Sequence, residues 1–369
     1  MPKRPPAILL LLALFTVTAS AALPFTNLKD AYGKYWSIGC AIPNGKLSPA
    51  ELAVLDANFT NVTPEGIMKP LPIEPEENRY TFAGADAFVA FAQAHGLKVN
   101  GHALVWHESC PDWFFLDGGK PAGRDLVLKR MIDHVTTEAS HFRGKVFSWD
   151  VVNEALDNGP GYLRPNNWRK SIGPDYVAQA FRAAQAADPQ AELYYNDYNI
   201  ENPVKREKAI RLIRELKAQH LRIDGIGIQG HWQLDKIPYA DIDAAITAFH
   251  NEGVKVMITE LDIDMVPRKA AGADVTAKET AQDDPLANGC PQELLARQAD
   301  QYAKLFALFL RHKNEISRVT FWGLDDARSW LNNWPRKRTN YPLLWDRQAR
   351  PKPALAAVLN IADESGGGL

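Results

Sequence analysis

Along the chain, short runs of apolar, often β-branched residues alternate with longer stretches whose apolar positions recur at helical spacing. This alternation predicts parallel strands joined by crossover helices. Strands are expected over 37–42, 58–65, 98–106, 146–154, 192–197, 225–231, 255–263 and 318–325. Helices are expected between them, over 86–95, 124–141, 176–187, 204–220, 239–251 and 294–312. Pro49 after Ser48, and Pro203 after Asn202, mark two helix starts, because a first-turn proline gives up an N–H that has no helical partner anyway.

Eight such units predict an α/β fold, a closed (β/α)8 TIM barrel built as a single domain; an open doubly wound sheet is the alternative. The strand ends favour closure. Glu65, His102, Trp106, Asn153, Glu154, Asn196, Asp197, Gln229, His231, Glu260, Asp262, Trp322 and Asp325 fall at or just past them. Buried polar groups are costly unless they are hydrogen-bonded or wet. Any one of these would read as a satisfied structural group. Their recurrence at so many strand ends points instead to one central site, and barrel sites are built at the C-terminal ends of strands. Side-chain alternation puts Gln229 with His231, and Glu260 with Asp262, on common faces.

The start of the chain resembles a secretory leader. Lys3 and Arg4 precede an apolar run from Ala7 to Val17, and Ala19-Ser20-Ala21 is a small-residue cleavage site. That run is short for a membrane span, so residues 1–21 are read as a signal peptide, with a retained anchor as the alternative. Residues 22–362 then form the catalytic domain and 363–369 a flexible tail. The formal charge is −2, and becomes more negative without Lys3 and Arg4, which gives no case for nucleic acid or an anionic membrane as partner. Cys40, Cys110 and Cys290 allow at most one internal disulfide and match no metal motif. Buried free thiols are expected, with Cys290 in a more exposed loop. The mature protein is expected to be secreted, extracellular or periplasmic, and monomeric, with no metal and no cofactor.

Two segments carry the chemistry. Trp149-Asp150-Val151-Val152-Asn153-Glu154 and Ile258-Thr259-Glu260-Leu261-Asp262 each end an apolar run on a glutamate, and a facing carboxylate pair is the minimum for cleaving a glycosidic bond. With Gly101-His102-Ala103-Leu104-Val105-Trp106-His107, Tyr195-Asn196-Asp197-Tyr198-Asn199, Gln229-Gly230-His231, Phe321-Trp322-Gly323-Leu324-Asp325-Asp326 and Lys352-Pro353-Ala354, the chain resembles glycoside hydrolase family 10 from about residue 32 to 359. The resemblance implies a retaining endo-β-1,4-xylanase acting on xylan and xylo-oligosaccharides, with Glu154 as acid/base and Glu260 as nucleophile. It also implies that Glu65, Lys69, His102, Trp106, Asn153, Gln229, His231, Trp322 and Trp330 line the glycone side. One departure stands out: where the family usually has Glu-Asn-x-Met-Lys, this chain reads Glu65-Gly66-Ile67-Met68-Lys69, without the amide used in the second glycone subsite.

Further roles follow from placement. His231 is expected to bridge Glu260 and Asp262, and Asn153 to meet the sugar 2-hydroxyl. The charge of Glu260 is expected to raise the pKa of Glu154. Tyr198, after strand five, is expected to be an aglycone platform. Glu65 and Lys69 read either as sugar contacts or as an ordinary ion pair. The long 267–291 connection is expected to overhang the aglycone side. Arg328, Arg336, Lys337 and Arg338 offer cations to acidic branches of xylan, against the plainer reading of a solvated loop. The competing functions are a β-1,4-glucanase of the same fold and a catalytically silent glycan-binding barrel.

Overall fold

The computed structural model describes residues 25–269, 273–279 and 284–366, with side chains to 362. The expected leader, 1–21, and the last residues of the expected tail, 367–369, lie outside the described residues. Eight parallel strands form the barrel: β1 (Ser37–Ile42), β2 (Asn61–Pro64), β3 (Lys98–Val105), β4 (Ser148–Asn153), β5 (Glu192–Asp197), β6 (Gly225–Ile228), β7 (Lys255–Asp264) and β8 (Ile316–Phe321). Each pairs with the next, and β8 pairs with both β7 and β1, so the sheet is closed and the open alternative is excluded.

Several strands are shorter than their apolar patterns. Residues 58–60 fall outside β2, because the helix Pro49–Asn58 keeps Asn58 as its last residue. The pattern over 225–231 breaks after Ile228. Gly230 adopts φ 86°, and His231–Gln233 then pairs separately with the far end of β7. β8 stops at Phe321, leaving Trp322 to Asp325 beyond the strand end.

Helices start where the caps were expected. Ser48 and Glu51 form a reciprocal capping box with Pro49 in the first turn, and the Asn202 side chain accepts from the Val204 N–H. The final helix, Pro353–Gly366, runs into the segment expected to be a flexible tail; nothing in Asp363-Glu364-Ser365 breaks it before the glycine run. It packs on the helix Gln292–Arg311, and Tyr32 near the other end of the described chain donates its hydroxyl to Val358 O at 2.5 Å. The three cysteines are unpaired; Cys40 is buried, and Cys110 and Cys290 are partly exposed.

Candidate active site

At the C-terminal ends of the strands lies a cleft of ≈ 550 Å³. Of the residues singled out from sequence, Glu65, Lys69, Trp106, Glu154, Gln229, His231, Glu260, Trp322 and Trp330 line it, as does Gly66. Asn153, Asp262 and His102 stand just behind, buried. The two glutamates are largely covered, at 4 % and 5 % exposure.

Glu154 follows β4 directly, with φ 59°, a left-handed conformation that non-glycine residues rarely adopt. Strain of this kind costs on the order of 1–3 kcal/mol and persists only where the surroundings fix it. Here the Glu154 N–H donates to Asn196 O at 2.9 Å, and Arg164 Nε donates to Glu154 O at 3.2 Å. The carboxyl accepts from Trp106 Nε1 (3.1 Å), Gln229 Nε2 (3.0 Å) and Asn153 Nδ2 (3.2 Å). Its pKa is raised. The main cause is burial, and the leading negative charge acting on it is that of Asp197; the charges of His107 and Arg164 and the Gln229 donor pull the other way. This corrects the expectation that the charge of Glu260 drives the shift.

Glu260 lies inside β7, at an irregularity in its register with β8 between Ile258 and Leu261. Burial would raise its pKa, but His231 and Asn196 as hydrogen-bond donors and the charges of His102 and His231 outweigh that, and the result is lowered. His231 bridges as expected, with Nε2 3.0 Å from Glu260 Oε2 and Nδ1 3.0 Å from Asp262 Oδ2. Burial disfavours its charge; Asp262 first, then Glu260, raise its pKa to about 10, so it is an imidazolium that donates to both carboxylates.

One residue that sequence reasoning placed at a strand end but gave no role is Asn196. Its Nδ2 donates to Glu260 Oε1 at 2.6 Å and to Asn153 Oδ1 at 2.9 Å, while its Oδ1 accepts from Thr259 Oγ1 at 2.6 Å. One buried amide thus ties the surroundings of one glutamate to the other. Gly227 makes room for it, since a Cβ there would fall 2.4 Å from Asn196 Oδ1.

The structure departs from the sequence reading elsewhere. Tyr198 is not a platform. It is 1 % exposed, its ring is covered by the Lys205 ammonium at 4.2 Å, and its hydroxyl accepts from Asn158 and Arg164 at 2.7 Å. The loop cations are mostly committed internally: Arg328 to Glu51, Arg336 to Glu279, and fully buried Arg338 to Asp264; Lys337 is exposed. Lys69 Nζ sits 4.4 Å over the Trp106 ring. Trp330 lines the cleft and also donates to Asp262 Oδ2 at 2.8 Å, stacked on Trp334 with centroids 4.7 Å apart. In the long connection, Ala273 and Val275 reach the cleft, and Asp274 O accepts from Trp334 Nε1. Among the described residues, no group of three or more His, Cys, Asp or Glu is placed to hold a metal ion.

Chemically, this is one carboxyl pushed towards its protonated form and one pushed towards its ionised form in a cleft lined by indoles, the pairing suited to acid-assisted nucleophilic displacement at a sugar carbon. Residues 27–361 match the model of glycosyl hydrolase family 10. The endo-1,4-beta-xylanase A of Xylanibacter ruminicola is 39% identical over 353 residues, covering 93% of this chain and 95% of that protein. The endo-1,4-beta-xylanase of Geobacillus stearothermophilus is 40% identical over 339 residues, covering 91% and 98%. The solved structure of a GH10 endoxylanase retrieved from sugarcane soil metagenome is 37% identical, with a TM-score of 0.86 over 90% of this chain and 99% of that one.

Proposed function

Since the chain belongs to glycosyl hydrolase family 10, we propose that it is a retaining endo-1,4-β-xylanase that cuts internal bonds of xylan. The observation that carries this reading is the opposite electrostatics of the two glutamates, with Glu154 raised and Glu260 lowered in one cleft.

In the first displacement, Glu260 Oε attacks the anomeric carbon while Glu154 delivers its proton to the departing glycosidic oxygen. The C–O bond to the aglycone breaks, an ester bond to Glu260 forms, and Glu154 is left as a carboxylate. In the second, that carboxylate takes a proton from water, whose oxygen attacks the same carbon and releases Glu260. Each step inverts the centre, so the product retains its configuration. The His231 imidazolium and Asn196 hold Glu260 in one rotamer. Gln229, which lines the cleft and donates to Glu154, is placed to meet the sugar hydroxyls there, Asn153 supports Glu154 from behind, and Trp322 and Trp330 offer apolar faces to pyranose rings. The Lys3-Arg4 start and the apolar run after it support export.

The experiment is a comparison of initial rates on xylan, soluble cellulose and mixed-linkage β-glucan. The proposal requires a strong preference for xylan; equal rates on xylan and cellulose would overturn it.

A further inference from the structure

Against the turn that follows the acid/base lies a buried charge cluster with no role in the chemistry above. Asp197, the last residue of β5, is fully buried, and Lys205, on the helix Pro203–Ala218, is 3 % exposed. Lys205 Nζ donates to Asp197 Oδ1 at 2.7 Å, to Asn158 Oδ1 at 2.8 Å and to Tyr198 O at 2.8 Å. The other Asp197 oxygen faces the turn that carries the acid/base. Oδ2 accepts from Tyr195 Oη at 2.5 Å and, at longer range, from the Leu156 N–H at 3.4 Å. The Leu156 N–H also donates to Tyr195 Oη at 3.0 Å. The returning arm of the same loop closes the ring, since the Arg164 N–H donates to Ala155 O at 2.8 Å and Arg164 Nε donates to Glu154 O.

A left-handed glutamate at a strand end needs its following residues fixed, because the strain relaxes if the turn is free. We infer that Asp197 is a positioning residue for the acid/base, acting through Tyr195 and the Leu156 amide to lock the Glu154–Leu156 turn, with Lys205 as its buried counter-charge. This inference rests on Glu154 being the acid/base. Two buried charges held in such a network are costly to desolvate, and losing one partner is far worse than never having the pair. The arrangement is therefore an expensive way to hold a turn that a neutral pair would also hold, unless the charge itself matters. It does, because the Asp197 carboxylate raises the pKa of Glu154.

The charged and titratable groups facing Glu154 are His107 from the segment after β3, Arg164 from its own loop, Lys69 from the segment after β2, and Asp197 and Tyr198 from β5 and its loop. Lys205 reaches it from the helix beyond. The positive groups favour ionisation and Asp197 opposes it. Removing only the Asp197 charge therefore moves the basic limb of kcat/KM, which reports the free acid, to lower pH.

The test is Asp197→Asn, measured on xylan and on an aryl β-xylobioside with a good leaving group, each across pH. The expected result is a basic limb lowered by about one pH unit, an acidic limb unchanged, and a larger loss on xylan than on the aryl substrate. A basic limb that stays in place, with equal losses on both substrates, overturns the inference. Tyr195→Phe keeps the charge and removes the 3.0 Å bond to the Leu156 amide, leaving that amide only its longer 3.4 Å contact with Asp197, and it decides the matter if Asp197→Asn does not fold. It must lose several-fold more turnover on xylan than on the aryl substrate; equal or no loss overturns the inference. Glu154→Ala run alongside separates the two claims. If it too falls equally on both substrates, the acid/base assignment itself fails. If it spares only the aryl substrate while Asp197→Asn does not, only the positioning role fails.

Discussion

Asn196→Ala removes the donor that ties the two halves of the site. The wild-type amide is fully buried and uses both its N–H groups and its oxygen: 2.6 Å to Glu260, 2.9 Å to Asn153, and 2.6 Å from Thr259. The bond to Glu260 is charge-assisted, and such bonds contribute about 1.5–3 kcal/mol. That energy favours the ionised carboxylate, and about 1.36 kcal/mol corresponds to one pKa unit. Without it the Glu260 pKa rises by about one to two units, with His231 still holding the other oxygen. A carboxylate with a higher pKa is lost to protonation earlier as pH falls, so the acidic limb of kcat/KM moves to higher pH while the basic limb, set by Glu154, stays. The plateau also drops, because a misplaced nucleophile leaves the near-attack geometry. Initial rates on xylan across pH, with circular dichroism to confirm folding, supply the assay. A lowered plateau with an unmoved acidic limb would show that Asn196 only fills space, and would refute the reasoning.

Glu260→Ala should abolish turnover on every substrate, including activated aryl glycosides; residual activity on those substrates would remove Glu260 as nucleophile. Gly66→Asn should fold normally, since a Cβ there meets nothing within 4 Å, and should place an amide in the cleft wall. One added hydrogen bond contributes about 0.5–1.5 kcal/mol, so KM for xylo-oligosaccharides should fall about two- to tenfold; an unchanged KM would show that the position does not meet the sugar. His134, buried between Glu74 and Glu138, is held against burial by those carboxylates, and its pKa is raised to about 9. A raised folded-state pKa stabilises fully below the unfolded value, near 6.5, and the effect is lost as pH climbs to about 9. The melting-temperature gap between wild type and His134→Gln should be widest in mild acid and close across that window; a gap independent of pH would contradict it.

Much of the barrel was legible because parallel strands buried on both faces read as continuous apolar runs, and their polar ends stand out against them. That Glu154 and Glu260 end up in one cleft was legible for the same reason. What sequence left open depends on who touches whom. Tyr198 sits at a strand end like the true lining residues, yet a buried ammonium and guanidinium occupy the space around its ring and hydroxyl. Asn196 reads as one more polar strand end, and only closure of the sheet brings it against both Glu260 and Asn153. The arginines of the 328–338 loop look like free surface charge until Glu51, Glu279 and Asp264, all distant in sequence, are brought to them. The source of the Glu154 shift was misassigned for the same reason: burial and Asp197 are properties of the packed loop, not of the motif.

The account stands on two displacements at one carbon, and the configuration of the first-formed product reads that directly. Proton NMR during hydrolysis of a xylo-oligosaccharide should show the β-anomer of the new reducing end appearing first, with the α-anomer growing in only by mutarotation. An α-anomer formed first would mean a single displacement by water, with Glu260 as base instead of nucleophile, and would contradict the mechanism at its centre.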